Sequence, residues 1–156
     1  MNFELPGGTM LRVKDIMTTD IASTPPDTTL RDAMAILADN HVGGLPVVRG
    51  GKVVGVFSAA DLLVYLTDID AGPPSDSLRR RRTSLEEVTV EELMTREVKW
   101  LAPNATVEQA ADYMREKQIH RVLVVDGSKL VGIVTTADVA RAVAEHRLRT
   151  KTFVFG

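Results

Sequence analysis

Residues 13–63 align with residues 90–140 at a constant offset of 77 without a gap, and about 14 of the 51 pairs are identical. An internal duplication constrains folding more than any single motif, because what one copy forms the other must form too. Val13-Lys-Asp-Ile-Met-Thr18 meets Val90-Glu-Glu-Leu-Met-Thr95, and Pro26-Asp-Thr-Thr29 meets Pro103-Asn-Ala-Thr106. Gly55-Val-Phe-Ser-Ala-Ala-Asp61 meets Gly132-Ile-Val-Thr-Thr-Ala-Asp138. A chain of 156 residues therefore divides into a tail (1–11), a first repeat (12–66), a linker (67–88), a second repeat (89–145) and a tail (146–156). The linker carries Gly72-Pro73-Pro74 and the basic run Arg79–Arg82, and reads as polar and loop-like.

Each copy predicts the same order of elements. A helical turn (Val13–Met17, Val90–Met94) leads to a brief strand near Ile21–Ser23 or Val98–Leu101. Asp27 or Asn104, followed by Thr29 or Thr106, supplies N-cap chemistry. Leu30, Ala33, Met34 and Leu37, and in the other copy Val107, Ala110, Ala111 and Met114, recur at helical spacing. Two strands follow, Leu45–Val48 with Val53–Phe57 and Val122–Val125 with Leu130–Val134, joined through Gly-Gly or Gly-Ser turns. A final helix starts at Ser58 or Thr135. The fold class is α/β (α+β), with tandem β-α-β-β-α units. A unit of about 51 residues is marginal alone. Packing two of them sheet to sheet with pseudo-twofold symmetry buries both inner faces.

Composition narrows the chemistry. There is no cysteine, so no disulfide, thiolate nucleophile or thiolate metal site is available. The three histidines, His41, His120 and His146, form no metal-binding spacing, and no nucleophile–base pair is visible. Nearly all of the chain is spent on the repeat, so an enzyme is not expected. No apolar run approaches the roughly 20 residues needed to span a bilayer, and residues 1–8 lack the pattern of a secretory signal. A cytoplasmic protein without membrane association is the expectation. A net charge of −2 and 4% aromatic residues speak against a surface-wide nucleic-acid binder.

The chemistry that remains sits in Gly55–Asp61 and Gly132–Asp138. Each places Ser or Thr at a strand end and Asp three residues later at a helix start. Free N–H groups and positive potential there suit an anion, and the carboxylate can accept ribose hydroxyls. The same pattern is also a capping-box variant, and duplication copies caps as readily as sites.

The repeated unit resembles the cystathionine-β-synthase (CBS) domain, and the pair resembles a Bateman module. The residues that carry this are the Val13–Thr18 and Val90–Thr95 leaders, Pro103-Asn-Ala-Thr106, Ile119-His-Arg-Val-Leu-Val-Val-Asp126 and the two Gly-x-x-Ser/Thr-x-x-Asp segments. The resemblance implies a regulatory sensor that binds an adenosine-containing ligand (AMP, ADP, ATP or S-adenosylmethionine), needs no other cofactor and forms a homodimer. It would signal ligand state to a separate partner protein. It implies a first cleft of Val56, Ser58, Asp61, Val98, Lys99, His120 and Arg121, with Asp61 on the ribose, Ser58 near a phosphate, and Val98 and Lys99 beside adenine. His120 and Arg121 resemble a phosphate-contacting His-Arg pair. It implies a second cleft of Ile21, Ala22, Ile133, Thr135 and Asp138. There the His-Arg positions are Gly43 and Gly44, so this cleft is expected to be weaker, to prefer an uncharged adenosine-like group, or to be empty. Apolar stripes on the final helices (Leu62, Leu63 and Leu66; Val139 and Val143) fit self-association. Two alternatives stand beside this reading: nucleic-acid binding through Arg79–Arg82, Arg147, Arg149 and Lys151, and a ligand-free assembly module.

Overall fold

A computed structural model describes residues 4–5, 9–71 and 85–150, with side chains for 10–67 and 85–145. The chain forms two compact units, Ala22–Val98 and Met1–Ile21 with Lys99–Gly156.

In the unit Ala22–Val98, helix α2 (Leu30–Asn40) is followed by strands β3 (Gly44–Arg49) and β4 (Lys52–Ser58), helix α3 (Ala59–Ala71) and the short helix α4 (Val90–Leu93). The Thr29 hydroxyl accepts from the Asp32 N–H and caps α2. One face of α2 buries Leu30, Ala33 and Leu37 against Leu45, Val47 and Phe57 of the β3–β4 hairpin, and Val88, Val90 and Met94 complete the core. The hairpin turns on Gly50 and Gly51 at φ 58° and 80°, a left-handed pair that a side chain would strain.

In the other unit, α1 (Val13–Ile16) joins β5 (Trp100–Leu101), α5 (Val107–Lys117), β6 (Arg121–Asp126), β7 (Lys129–Thr135) and α6 (Thr136–Thr150). A two-strand hairpin of β1 (Glu4–Leu5) and β2 (Thr9–Met10) precedes them. Strand β6 pairs parallel with β5 and antiparallel with β7. Val122, Val124 and Val134 pack on Val13, Ala110 and Met114, and Leu11, Val107 and Ala142 form a second cluster. Both hairpins carry an irregularity at equivalent positions, Val47/Val48 and Val124/Val125.

These units do not follow the repeat. The leader of the first repeat packs in the unit that holds the body of the second, and the reverse also holds. The Val13 and Lys14 N–H groups donate to the Ala105 and Pro103 carbonyls, as the Val90 and Glu91 N–H groups donate to those of Thr28 and Pro26. Thr18 exchanges both backbone bonds with Ile133, and Thr95 does so with Val56. The chain passes from one unit to the other at Ile21–Ala22 and again at Val98–Lys99.

The brief first strands are shorter than the sequence suggests. Residues Ile21–Ser23 form no strand; Thr24 alone makes a parallel bridge to Val47. In the second copy the strand covers Trp100–Leu101, leaving Val98 and Lys99 before it. The buried Thr24 hydroxyl donates to that of Thr28 at 2.6 Å, while its backbone N–H and carbonyl bond to the Pro46 carbonyl and the Val48 N–H. The final helices begin one residue later than expected, at Ala59 and Thr136, because Ser58 and Thr135 still pair with Gly44 and Arg121.

Both long first helices end on a non-glycine residue in the left-handed region, His41 (φ 53°) and Gln118 (φ 56°). The next N–H closes each helix, Val42 to the Leu37 carbonyl and Ile119 to that of Met114. A side chain at such a position is disfavoured and glycine is not. His41→Gly and Gln118→Gly are each expected to stabilise the chain by about 0.5–1 kcal/mol, read as a rise in the urea midpoint at constant m.

Candidate functional site

Strand β4 delivers Val56 and Ser58 to the start of α3, and Asp61 follows in the first turn. The Ser58 N–H donates to Asp61 Oδ2 at 2.8 Å, and the Ser58 hydroxyl does so at 3.2 Å. The Asp61 N–H donates back to Ser58 Oγ at 3.4 Å. This is a reciprocal cap. The other carboxylate oxygen, Oδ1, has the Thr95 hydroxyl at 3.5 Å. The aspartate is half-buried, so its free lone pairs face a partly open surface.

The second copy builds the same cap with different surroundings. The Thr135 N–H donates to Asp138 Oδ2 at 2.9 Å, and the Asp138 N–H donates to Thr135 Oγ1 at 3.1 Å. Asp138 is only 5% exposed. Its Oδ1 accepts from Arg141 Nη1 at 3.3 Å, while the arginine side chain itself remains 62% exposed. A buried carboxylate needs such a partner. The offset of 77 pairs Arg141 with Val64, so the first copy has no cation there.

Of the residues expected to act together, Val56, Ser58, Asp61 and Val98 lie in the unit Ala22–Val98, and Lys99, His120 and Arg121 lie in the other. Ile21, Ile133, Thr135 and Asp138 also share that other unit, and Ala22 does not. Val98–Lys99, expected beside adenine in the first cleft, and Ile21–Ala22, expected in the second, are the two points at which the chain changes unit. Lys99 offers its carbonyl to the Leu123 N–H at 3.3 Å. Arg121 opens β6 and is exposed. His120 is exposed too, and lines a cavity of about 300 Å³ between α5 and α6 with Met114, Ile119, Thr136 and Val139.

Three features were not singled out from the sequence as functional. Thr95 reaches Asp61, Arg141 holds Asp138, and the leader methionines lie on Gly55 and Gly132. Aligning the copies at the offset of 77 shows the Arg141/Val64 difference, one of several non-conservative pairs around the caps. The basic run Arg79–Arg82 and Lys151 lie outside the described residues. Arg147 and Arg149 fall on the last turns of α6. Among the described residues no three His, Asp or Glu side chains group as a metal site, and no helix is long and apolar enough to cross a membrane.

Comparison with known proteins agrees with this architecture. The CBS domain family matches residues 13–68 and 90–145. The CBS domain-containing protein YhcV of Bacillus subtilis (strain 168) is 33% identical over 131 residues, covering 84% of each chain. Hypoxic response protein 1 of Mycobacterium tuberculosis is 26% identical over 140 residues, covering 89% of this chain and 90% of that one. Among solved structures, that of CBSX2 in complex with AMP superimposes with a TM-score of 0.73 at 30% identity, covering 88% of this chain and 98% of its own. The CBS domain pair of MJ0100, in complex with 5-methylthioadenosine and S-adenosyl-L-methionine, gives 0.66 at 28% identity, covering 86% and 96%. The duplicated helix–hairpin–helix body, the paired caps and these matches place the chain in the CBS domain family, as a tandem pair of such domains.

Proposed function

We propose that the chain is a regulatory module that binds an adenosine-containing ligand and reports it to a separate partner protein. The observation that carries this reading is the pair of Ser/Thr-x-x-Asp caps in a chain similar over nearly its whole length to pairs solved with AMP and with S-adenosyl-L-methionine. Asp61 takes the ribose hydroxyls through the lone pairs its cap leaves open, Ser58 lies beside a phosphate, and Val56 and Val98 offer apolar contact to the base. His120 and Arg121 supply cationic and hydrogen-bonding groups for phosphate. Signalling follows from population shift: the ligand favours one conformation of the chain, and a partner reads it. Residues Ile133, Thr135 and Asp138, with Ile21 and Ala22, form the weaker set. A homodimer in the cytoplasm is part of the same reading, and the exposed Leu63 and Leu66 on α3 support self-association.

Thermal melts with AMP, ATP, S-adenosylmethionine and NADH test it. A ligand at 100 times its dissociation constant is expected to stabilise the chain by about 2.7 kcal/mol, and Asp61→Asn is expected to abolish that shift while keeping the cap acceptor. An unchanged melting temperature with every ligand leaves the assembly-module alternative and removes this reading.

A further inference from the structure

The two caps are built alike, but their carboxylates are not equally available. Both aspartates spend Oδ2 on the N–H of the residue three positions earlier. At Asp61 the remaining oxygen meets a hydroxyl at the edge of hydrogen-bonding range. At Asp138 it meets a guanidinium at 3.3 Å, and the carboxylate is almost fully buried. A ribose hydroxyl donating to Asp138 Oδ1 must therefore compete with a cation already on that atom. The cation is tethered one helical turn away, so its effective concentration is high. Its own side chain is 62% exposed. The equivalent helical position in the other copy is Val64, 60% exposed and incapable of a polar contact.

The geometry points to Arg141 as the residue that decides which of the two aspartates takes ligand: it occupies Asp138 as an internal substitute for the ribose hydroxyls and holds that site closed. This deepens the adenosine-binding reading and rests on it. It also gives the expected asymmetry a cause on the protein side of Asp138, separate from the missing His-Arg pair at Gly43 and Gly44.

The test exchanges the two residues. Titration calorimetry with adenosine, which has no phosphate to attract arginine, is expected to show one site on the unaltered chain. Arg141→Val is expected to show a second, because affinity at Asp138 rises by about tenfold or more when a charge-assisted competitor is removed. Val64→Arg is expected to weaken the first site by a similar factor. Asp61→Asn combined with Arg141→Val assigns the gained site, which should survive in that chain. If the unaltered chain binds adenosine and Arg141→Val leaves both number and affinity unchanged, Arg141 is no gate and the inference fails while the functional reading stands. If Arg141→Val weakens binding at the Asp138 site, Arg141 is a ligand contact and the inference is likewise overturned. If no chain binds adenosine, AMP or S-adenosylmethionine, it is the functional reading that fails, and the inference goes with it.

Discussion

Gly132→Ala is expected to destabilise the chain by about 1–3 kcal/mol, and Met17→Ala in the same chain is expected to recover part of that loss. A methyl group on Gly132 meets the Met17 side chain first at Sδ, then at Cγ (2.8 Å) and Cβ (3.1 Å). All three atoms belong to one flexible side chain, so trimming it makes room. Gly55→Ala should cost as much or more, and Met94→Ala should rescue it poorly. There the added methyl lies 2.6 Å from Met94 Sδ but also 2.9 Å from the Thr95 carbonyl oxygen. That oxygen accepts from the Val56 N–H and cannot move without breaking the bridge. Urea denaturation of the two double-mutant cycles checks this. A coupling of about 1 kcal/mol or more is expected for Gly132 with Met17 and a smaller one for Gly55 with Met94. Equal coupling in the two cycles contradicts the geometry.

Phe57→Ala is expected to cost about 3–5 kcal/mol, the range for emptying a buried phenylalanine site. Phe57 is fully buried and packs among Leu30, Leu37, Leu45 and Val47. Its counterpart is the smaller Val134, so the two cores are not equally sensitive. The informative readout is where protection is lost. Hydrogen exchange should accelerate in α2, β3 and β4, and also at the Val90 and Glu91 amides of α4, which bond to the Thr28 and Pro26 carbonyls. The amides of Val13 and Lys14 should be affected less, although they belong to the same sequence repeat as Phe57. Accelerated exchange at Val13 and Lys14 with α4 spared is the result that would falsify the exchanged arrangement of leaders.

Much of this architecture is legible from residue pattern. The helical spacing of Leu30, Ala33 and Leu37, the caps at Thr29 and Thr106 and the Gly-Gly turn are local signals, and local geometry obeys them. Met34 and Ala111 share the helical spacing and are half-buried, at the margin of the buried face. The first strands were harder to place, because two or three residues hold too little periodicity to separate a strand from an extended segment with one bridge. The leader exchange is invisible to a repeat alignment. An offset reports which residues are equivalent and is silent on which copy of a partner each one meets. The site was legible to the level of its caps. The Asp138–Arg141 pair needed the structure, since an Asp and an Arg three apart on a helix is a commonplace surface pattern until the carboxylate proves to be buried.

The exchanged leaders also bear on how the chain can be divided. Each strand that carries Gly55 or Gly132 is covered by a methionine encoded in the opposite half of the chain. Neither repeat supplies the methionine that covers its own glycine, so each half of the polypeptide depends on the other. Cutting it at the repeat boundary should yield fragments that fold poorly apart and recover their structure when mixed.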